Sequence, residues 1–358
     1  MNFVAVFMAI FSVIGALDRV IGNRFGLGEK FEKGFMLFGN MALSMIGMII
    51  ISPLLADILE PAFDIVKNVL HIDPSIIPAS FFANDMGGAS LAVEIAANPN
   101  IGMYNALVVS SMMGATFSFS IPYALGVVNP EHHKDMFLGF LCGIVTIPVG
   151  CIISGMVLDI QFSQLMLNLF PLVAFSALIA CGLVFCPMLC VKVFAAFGIT
   201  IKVIITIGLM FGIIKFLTGL ELVSGLATLE EGAAICLNAS VVMTGAFVFL
   251  HIMSKVISKP LTKLGKKLGI NETSALGFIS TIATNVTTFE MLNNMDKKGI
   301  VLNSAFAVSA AFVFAGHLAF TMAFNASYIG AVIIGKIISG LSSISLAIFI
   351  YNKMNRGN

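Results

Sequence analysis

Long apolar stretches recur along the whole chain, with short polar segments between them. Nine of these stretches approach or exceed the roughly 20 residues that a helix needs to cross a bilayer. They cover residues 2–17, 35–59, 104–128, 136–158, 168–190, 199–220, 232–254, 300–325 and 329–351. This pattern predicts an all-α, polytopic membrane protein with about nine full spans.

Two further apolar segments, at about 78–97 and 271–295, are interrupted by glycine and polar residues. The positive-inside rule indicates whether they cross the membrane or return to the side they came from. Basic residues cluster in the first loop, around Arg19 and Lys33, and again between Lys255 and Lys267. With both interrupted segments re-entrant, both clusters face the cytoplasm, whereas a first segment that crossed would move the Lys255–Lys267 cluster outside. The N-terminus is then predicted outside and the C-terminus in the cytoplasm.

This topology divides the chain into two halves of opposite orientation. Residues 1–158 form the first repeat, 168–190 is a linking span, and 199–358 form the second repeat. Each repeat contains one re-entrant segment, and such discontinuous elements in inverted repeats mark the binding site of many transporters. A homodimer is expected from the habits of inverted-repeat carriers.

Composition narrows the class of protein. The chain of 358 residues is 59% hydrophobic and 10% charged, with a formal net charge of +1. Soluble domains are less apolar and carry about 25% charged residues, and no basic surplus points to nucleic acid. The sequence has no ATP-binding, zinc-protease or nucleophile-elbow motif. We therefore expect no enzyme, no cofactor and no metal, and transport without ATP hydrolysis by this chain.

The two interrupted segments contain the predicted substrate site. Three carboxylates are expected at membrane depth there, where an unpaired charge is costly and is usually functional. Amides and hydroxyls could bind a polar group, and phenyl rings could face a cation. The candidate binding residues are Phe82, Asn84, Asp85, Glu94, Asn285, Thr287, Thr288, Phe289 and Glu290. Gly87 and Gly88 suit an unwound hinge, because glycine tolerates positive φ.

Simpler interpretations exist for several of these residues. Asp85 could cap a helix, the phenylalanines could serve packing, and the two glutamates could lie near the interface and pair with loop lysines. Lys336 and His317 lie inside predicted spans. They could be counter-ions or proton carriers, although a snorkelling lysine and a hydrogen-bonded core histidine are the simpler expectation.

The first loop carries a specific sequence pattern. It reads Asp18-Arg19-Val20-Ile21-Gly22-Asn23-Arg24-Phe25-Gly26-Leu27-Gly28-Glu29-Lys30-Phe31-Glu32-Lys33-Gly34-Phe35, and it is followed by residues 42–48 and by Phe82-Ala83-Asn84-Asp85-Met86-Gly87-Gly88. These segments closely resemble the EutH family of bacterial ethanolamine utilization membrane proteins. The resemblance implies a permease of the bacterial inner membrane, embedded in lipid, with ethanolamine as its ligand.

Ethanolamine fits the site predicted from the residues, since a primary amine is protonated at neutral pH. Facilitated diffusion is the expected mode, because a cation that enters a negative-inside cell moves downhill electrically. One alternative is a Na⁺- or H⁺-coupled symporter of another small polar metabolite. A second is a non-transporting membrane anchor or sensor for ethanolamine catabolism.

Overall fold

The structure, a computed structural model, describes residues 3–356. It leaves out the side chains at positions 40, 44, 62–66, 69–70, 187–188, 191, 194–195, 264 and 355–356. The helices are α1 (Phe3–Val20), α2 (Gly28–Leu70), α3 (Ile76–Phe81), α4 (Gly88–Ile95), α5 (Pro99–Tyr104), α6 (Ile121–Val127), α7 (His133–Val157), α8 (Phe162–Phe185), α9 (Pro187–Thr218), α10 (Leu229–Leu268), α11 (Glu272–Ala283), α12 (Asn285–Leu292), α13 (Lys297–Ala310), α14 (Gly316–Asn325) and α15 (Ile329–Arg356). Residues 3–356 contain no β-strand, so the all-α prediction is confirmed.

Eight helical stretches within the described residues are long and apolar enough to cross a membrane. The expected span 300–325 is not continuous, because α13 ends at Ala310 and α14 begins at Gly316. Residues 311–315 between them leave the helix and bond to a neighbouring segment instead. The exact number of crossings therefore stays a prediction.

Both interrupted segments fold back on themselves as helical hairpins. Hairpin 1, residues 76–95, has its two ends joined through Asp73, whose carboxylate accepts a hydrogen bond from the Asn98 backbone N–H at 2.8 Å. Hairpin 2, residues 272–292, has its ends joined in the same way: the Asp296 carboxylate accepts from the Asn271 backbone N–H at 2.8 Å. Each segment therefore enters and leaves at one end of its hairpin, and its re-entrance in the membrane stays a prediction.

The long helices surround these hairpins. Helix α2 packs along α10, and α7 packs along α15 and α13. In addition, α1 packs against α10 while α9 packs against α2, so each half contributes a helix to the other. Two related repeats would pack in this reciprocal way. The division into repeats at 1–158 and 199–358 stays a prediction.

The stretch from α5 to α6 is helical throughout but wound unusually in its middle. Asn105–Gly114 and Thr116–Ser120 form π-helix, and nearly all of their side chains are buried. Wider π-turns are rare and occur frequently at functional sites. Here the π-helical stretch lies beside the tip of hairpin 1, to which it donates one hydrogen bond and from which it accepts another.

Candidate functional site

The tip of hairpin 1 is an unwound turn between α3 and α4. Gly87 takes a φ of +94° there, which side chains with a Cβ adopt only with strain. The Phe82 carbonyl at the break accepts a hydrogen bond from the Ser110 hydroxyl at 2.5 Å, and the Ala83 N–H donates to Ser118 at 3.0 Å. Because the π-helical stretch satisfies these backbone groups, the turn can lie inside the protein.

The tip of hairpin 2 is held in a comparable way by the broken helix that follows it. Thr284 is extended, and its hydroxyl caps α12. The N–H groups of Phe312 and Phe314 donate to the carbonyls of Thr281 and Ile282 at 3.2 and 3.1 Å. The interruption of the expected span 300–325 thus supplies the hydrogen bonds that the end of α11 lacks.

The two tips open into one cavity of about 530 Å³. Hairpin 1 contributes Asp85 and hairpin 2 contributes Thr284 and Thr287 to its lining. The helices around the tips contribute three phenyl rings, an imidazole and a lysine, namely Phe119, Phe247, Phe312, His317 and Lys33. The predicted meeting of both interrupted segments is therefore present in the geometry.

Asp85 is the acidic side chain of this lining. It forms no ion pair with any residue that the structure describes. A carboxylate without a direct partner at membrane depth is expected to bind a cation or to face water. The Lys33 ammonium lies elsewhere in the cavity wall, 5.3 Å from the centroid of the Phe247 ring.

Aromatic rings form much of the remaining wall. Phe312 has a φ of +61°, an uncommon conformation for a bulky residue that is found where strain serves a site. Its ring lies 4.9 Å from the His317 ring and 5.9 Å, edge to face, from Phe119. A small organic cation beside Asp85 would thus be close to ring faces that attract positive charge.

His317 and Lys336 form a buried pair behind this wall. The Lys336 ammonium nitrogen lies 3.1 Å from His317 Nδ1 and donates to the Ser111 carbonyl at 2.6 Å. Lys336 has no exposed surface. The expectation of a snorkelling lysine is therefore wrong, because the side chain ends on internal acceptors rather than at the interface.

Several of the other predicted residues lie at the tips without reaching the cavity lining. Asn84 is buried, and neither its amide nitrogen nor its amide oxygen has a hydrogen-bond partner among the described residues. Asn285 donates to Ser120 at 2.7 Å, while its amide oxygen has no partner in the part of the chain that the structure describes. Thr288 bonds within hairpin 2, to Thr281 at 3.0 Å. Gly88 begins α4, and a Cβ there would lie 2.2 Å from the Ser110 hydroxyl.

The remaining candidates do not line the cavity. Glu94 is exposed and lines a separate depression with Asp57, Glu60 and Lys67. Glu290 is also exposed and accepts a hydrogen bond from the Tyr123 hydroxyl at 3.0 Å. Two rings serve packing: Phe82 lies 5.5 Å from Phe197, and Phe289 is fully buried with its edge 5.8 Å from Phe140. Their roles in binding stay predictions that this geometry does not favour.

Sequence reasoning did not name five cavity residues as site members, namely Lys33, Phe119, Phe247, Thr284 and Phe312. With 32 phenylalanines in the chain, no local pattern distinguishes three of them from packing residues. His317 and Lys336 carried a usable signal, because ionisable residues inside spans are functional candidates by default. Among the described residues, no group of three or more His, Cys, Asp or Glu side chains is arranged to hold a metal ion.

Comparison with known proteins gives a consistent result. The family described as "Ethanolamine utilisation protein, EutH" matches residues 1–350. A protein of Listeria monocytogenes named "Probable ethanolamine permease EutH" is 42% identical, over 98% of this chain and 94% of its own length. A Salmonella typhimurium protein of the same name is 35% identical, over 97% of this chain and 94% of its length.

A Bacillus subtilis protein described as "Uncharacterized protein YxeR" is also 35% identical, over 95% of this chain and 92% of its length. No solved structure shows significant similarity. The matches span nearly the whole chain, including both hairpins and the segments that line the cavity. The chain belongs to the EutH family.

Proposed function

We propose that this protein is an ethanolamine permease of the bacterial inner membrane, which carries protonated ethanolamine through the cavity between the two hairpin tips. The observation that carries the proposal is the cavity itself, in which a carboxylate without a direct ion pair lies among phenyl rings and threonines. Relatives named as probable ethanolamine permeases support the choice of substrate.

Asp85 is the proposed partner of the substrate ammonium, and Phe119 and Phe312 would add contacts between the cation and ring faces. Thr284 and Thr287 line the same cavity and would bind the hydroxyl group. The hydroxyl of Thr284 already accepts a hydrogen bond from the Val286 N–H, so its own proton is available to donate. This set of groups matches a small molecule with one ammonium and one hydroxyl.

The hairpins would act as gates on opposite sides of the site, with the turn at Gly87 and Gly88 as one hinge. The chain carries no motif for ATP hydrolysis, and the proposed mode is facilitated diffusion, in which ethanolamine moves down its own gradient. No catalytic role is assigned to this chain.

Uptake of labelled ethanolamine into proteoliposomes at pH 6 tests the proposal. Mildly acidic pH keeps the amine protonated and so suppresses leakage of the neutral form through lipid. We expect saturable uptake that protein-free vesicles lack. Asp85→Asn should weaken apparent affinity roughly 10- to 100-fold, because a charge-assisted contact is lost.

Glu94→Gln is the matched control, since it also removes one carboxylate but from outside the cavity. It should change uptake by no more than about twofold, as for most surface substitutions. Uptake that requires a sodium gradient would indicate a symporter instead. Absence of saturable uptake by folded protein would overturn the permease proposal and favour an anchor or sensor.

A further inference from the structure

A buried lysine with no acidic partner in direct contact is costly unless its charge is balanced or removed. Lys336 is such a residue, since its described neighbours at hydrogen-bond distance are the Ser111 carbonyl and His317 Nδ1. Its side chain has no exposed surface. His317, in contrast, lines the cavity. One imidazole therefore connects the buried amine with the cavity that contains Asp85.

This arrangement accommodates either charge state of Lys336 without moving a heavy atom. A protonated amine donates to Ser111 and to His317 Nδ1. A neutral amine still donates to Ser111 and accepts from a protonated Nδ1, because imidazole can carry its proton on either nitrogen. No hydrogen bond is lost when the lysine gives up its proton, so the pair suits reversible proton transfer.

The charges around the pair favour such a change when a cation binds. Asp85 from hairpin 1 and Cys151 from α7 are the titratable groups that interact electrostatically with Lys336, beside His317 from α14. Lys33 also lines the cavity, but its ammonium is not among the groups that act on Lys336. Around Lys336 itself, one carboxylate balances one ammonium in the empty site. A bound substrate cation would leave two positive charges for the single carboxylate Asp85 in a poorly solvated place, which is unfavourable.

We propose that the substrate ammonium replaces the charge of Lys336, so that each protonated ethanolamine bound at Asp85 releases one proton through His317. In this step an N–H bond of Lys336 breaks and an N–H bond forms at His317 Nδ1. At the same time the N–H bond at His317 Nε2 breaks, and its proton passes to solvent in the cavity. The lysine becomes a neutral amine and the imidazole stays neutral. The proposal rests on the proposed function and specifies its mechanism.

Exchange of one ammonium for one proton has a defined net result. An ethanolamine cation moving in and a proton moving out equal the inward movement of a neutral ethanolamine molecule. Transport would still be facilitated diffusion, but it would carry no net charge. It would therefore not respond to the membrane potential, unlike the voltage-driven cation movement expected from the sequence.

Proton release on binding tests this directly. Purified protein in detergent and weak buffer at pH 8 is titrated with ethanolamine adjusted to the same pH, and a pH indicator counts the protons released. At this pH an ordinary carboxyl group is already ionised, so release reports Lys336. We expect the wild-type protein to release protons on binding, up to one per ethanolamine, and to release more at pH 7 than at pH 8.

Lys336→Met should bind ethanolamine without releasing protons, and Lys336→Gln provides a second variant in case the first fails to fold. Between pH 7 and 8 the wild-type dissociation constant should fall by up to tenfold, while that of a folded Lys336 variant stays constant.

His317→Asn should slow exchange, because an amide cannot pass a proton from one side to the other. Lys215→Met, which removes a half-buried lysine paired with Glu221 outside the cavity, is the control that should behave as wild type.

Proteoliposomes give an independent readout. Saturable wild-type uptake should be the same with and without an inside-negative potential, whereas uptake by the Lys336 variant should increase with that potential. Ethanolamine binding without proton release, together with voltage-driven wild-type uptake, would overturn the exchange and leave the permease intact. Absence of binding to the folded wild-type protein would overturn both proposals.

Discussion

Asp85 differs from the two glutamates predicted with it, Glu94 and Glu290, in its position along the hairpin. Asp85 belongs to the turn at the tip of hairpin 1, whereas Glu94 lies near the far end of α4. Glu290 likewise lies two residues before the end of α12. A helix rises about 1.5 Å per residue, so each glutamate is carried on the order of 10 Å from its tip. One carboxylate thus reaches the cavity.

The cavity rings give a prediction at the same scale. Phe119→Leu removes a ring from the wall while keeping an apolar side chain of similar size. Loss of one cation–ring contact should raise the dissociation constant for ethanolamine roughly 2- to 30-fold. Binding to purified protein, measured by titration calorimetry, gives this value.

Phe82→Leu is the control, because Phe82 packs on Phe197 and does not line the cavity. It should leave the dissociation constant within about twofold of the wild-type value. Equal loss of affinity in both variants would argue against ring recognition at the cavity wall.

Hairpin 1 and the π-helical stretch act together as elements, since each supplies what the other lacks. The break in the hairpin exposes backbone groups, and the π-helical stretch brings two serine hydroxyls to them. Gly114 permits this contact: a Cβ at that position would lie 1.9 Å from the Phe82 carbonyl oxygen. The packing of the two elements therefore depends on an absent side chain.

Gly114→Ala should separate these elements and destabilise the protein by about 1–3 kcal/mol, as overpacking does in well-packed interiors. Thermal unfolding in detergent, followed by circular dichroism, should show a lower midpoint temperature. Gly126→Ala is the control, because a Cβ there meets nothing within 4 Å. The control should unfold at the wild-type temperature or slightly above it. A Gly114 variant as stable as this control would contradict the close contact.

Local patterns were enough to predict some of these elements and not others. The unwound turn at Gly87 and the interruption near Thr284 are readable because polar and glycine residues break apolar stretches. The break at 311–315 cannot be predicted locally, since those residues are Ala-Phe-Val-Phe-Ala and the N–H groups of Phe312 and Phe314 donate to hairpin 2. Asp85 was predicted from its chemistry, whereas Phe119, Phe247 and Phe312 depend on contacts between distant segments.

The orientation of the protein in the membrane is a property of the whole molecule. The positive-inside rule predicts that the loop around Lys266 lies in the cytoplasm and the region around Glu60 outside. Single cysteines at these exposed positions, in a background without the six native cysteines, should react differently with a membrane-impermeant maleimide applied to intact cells. Glu60→Cys should be labelled, and Lys266→Cys should be labelled only after the cells are opened. The reverse pattern would invert the topology.

Hairpin 2 shares two backbone hydrogen bonds with the segment that presents Phe312 to the cavity. A displacement of the end of α11 would therefore pull directly on residues 312 and 314, and through them on the neighbouring His317. Opening on one side of the molecule and reshaping of the cavity wall would then be a single mechanical event. A carrier of this kind would change its contacts with the substrate in the same movement that exposes the substrate to the other side of the membrane.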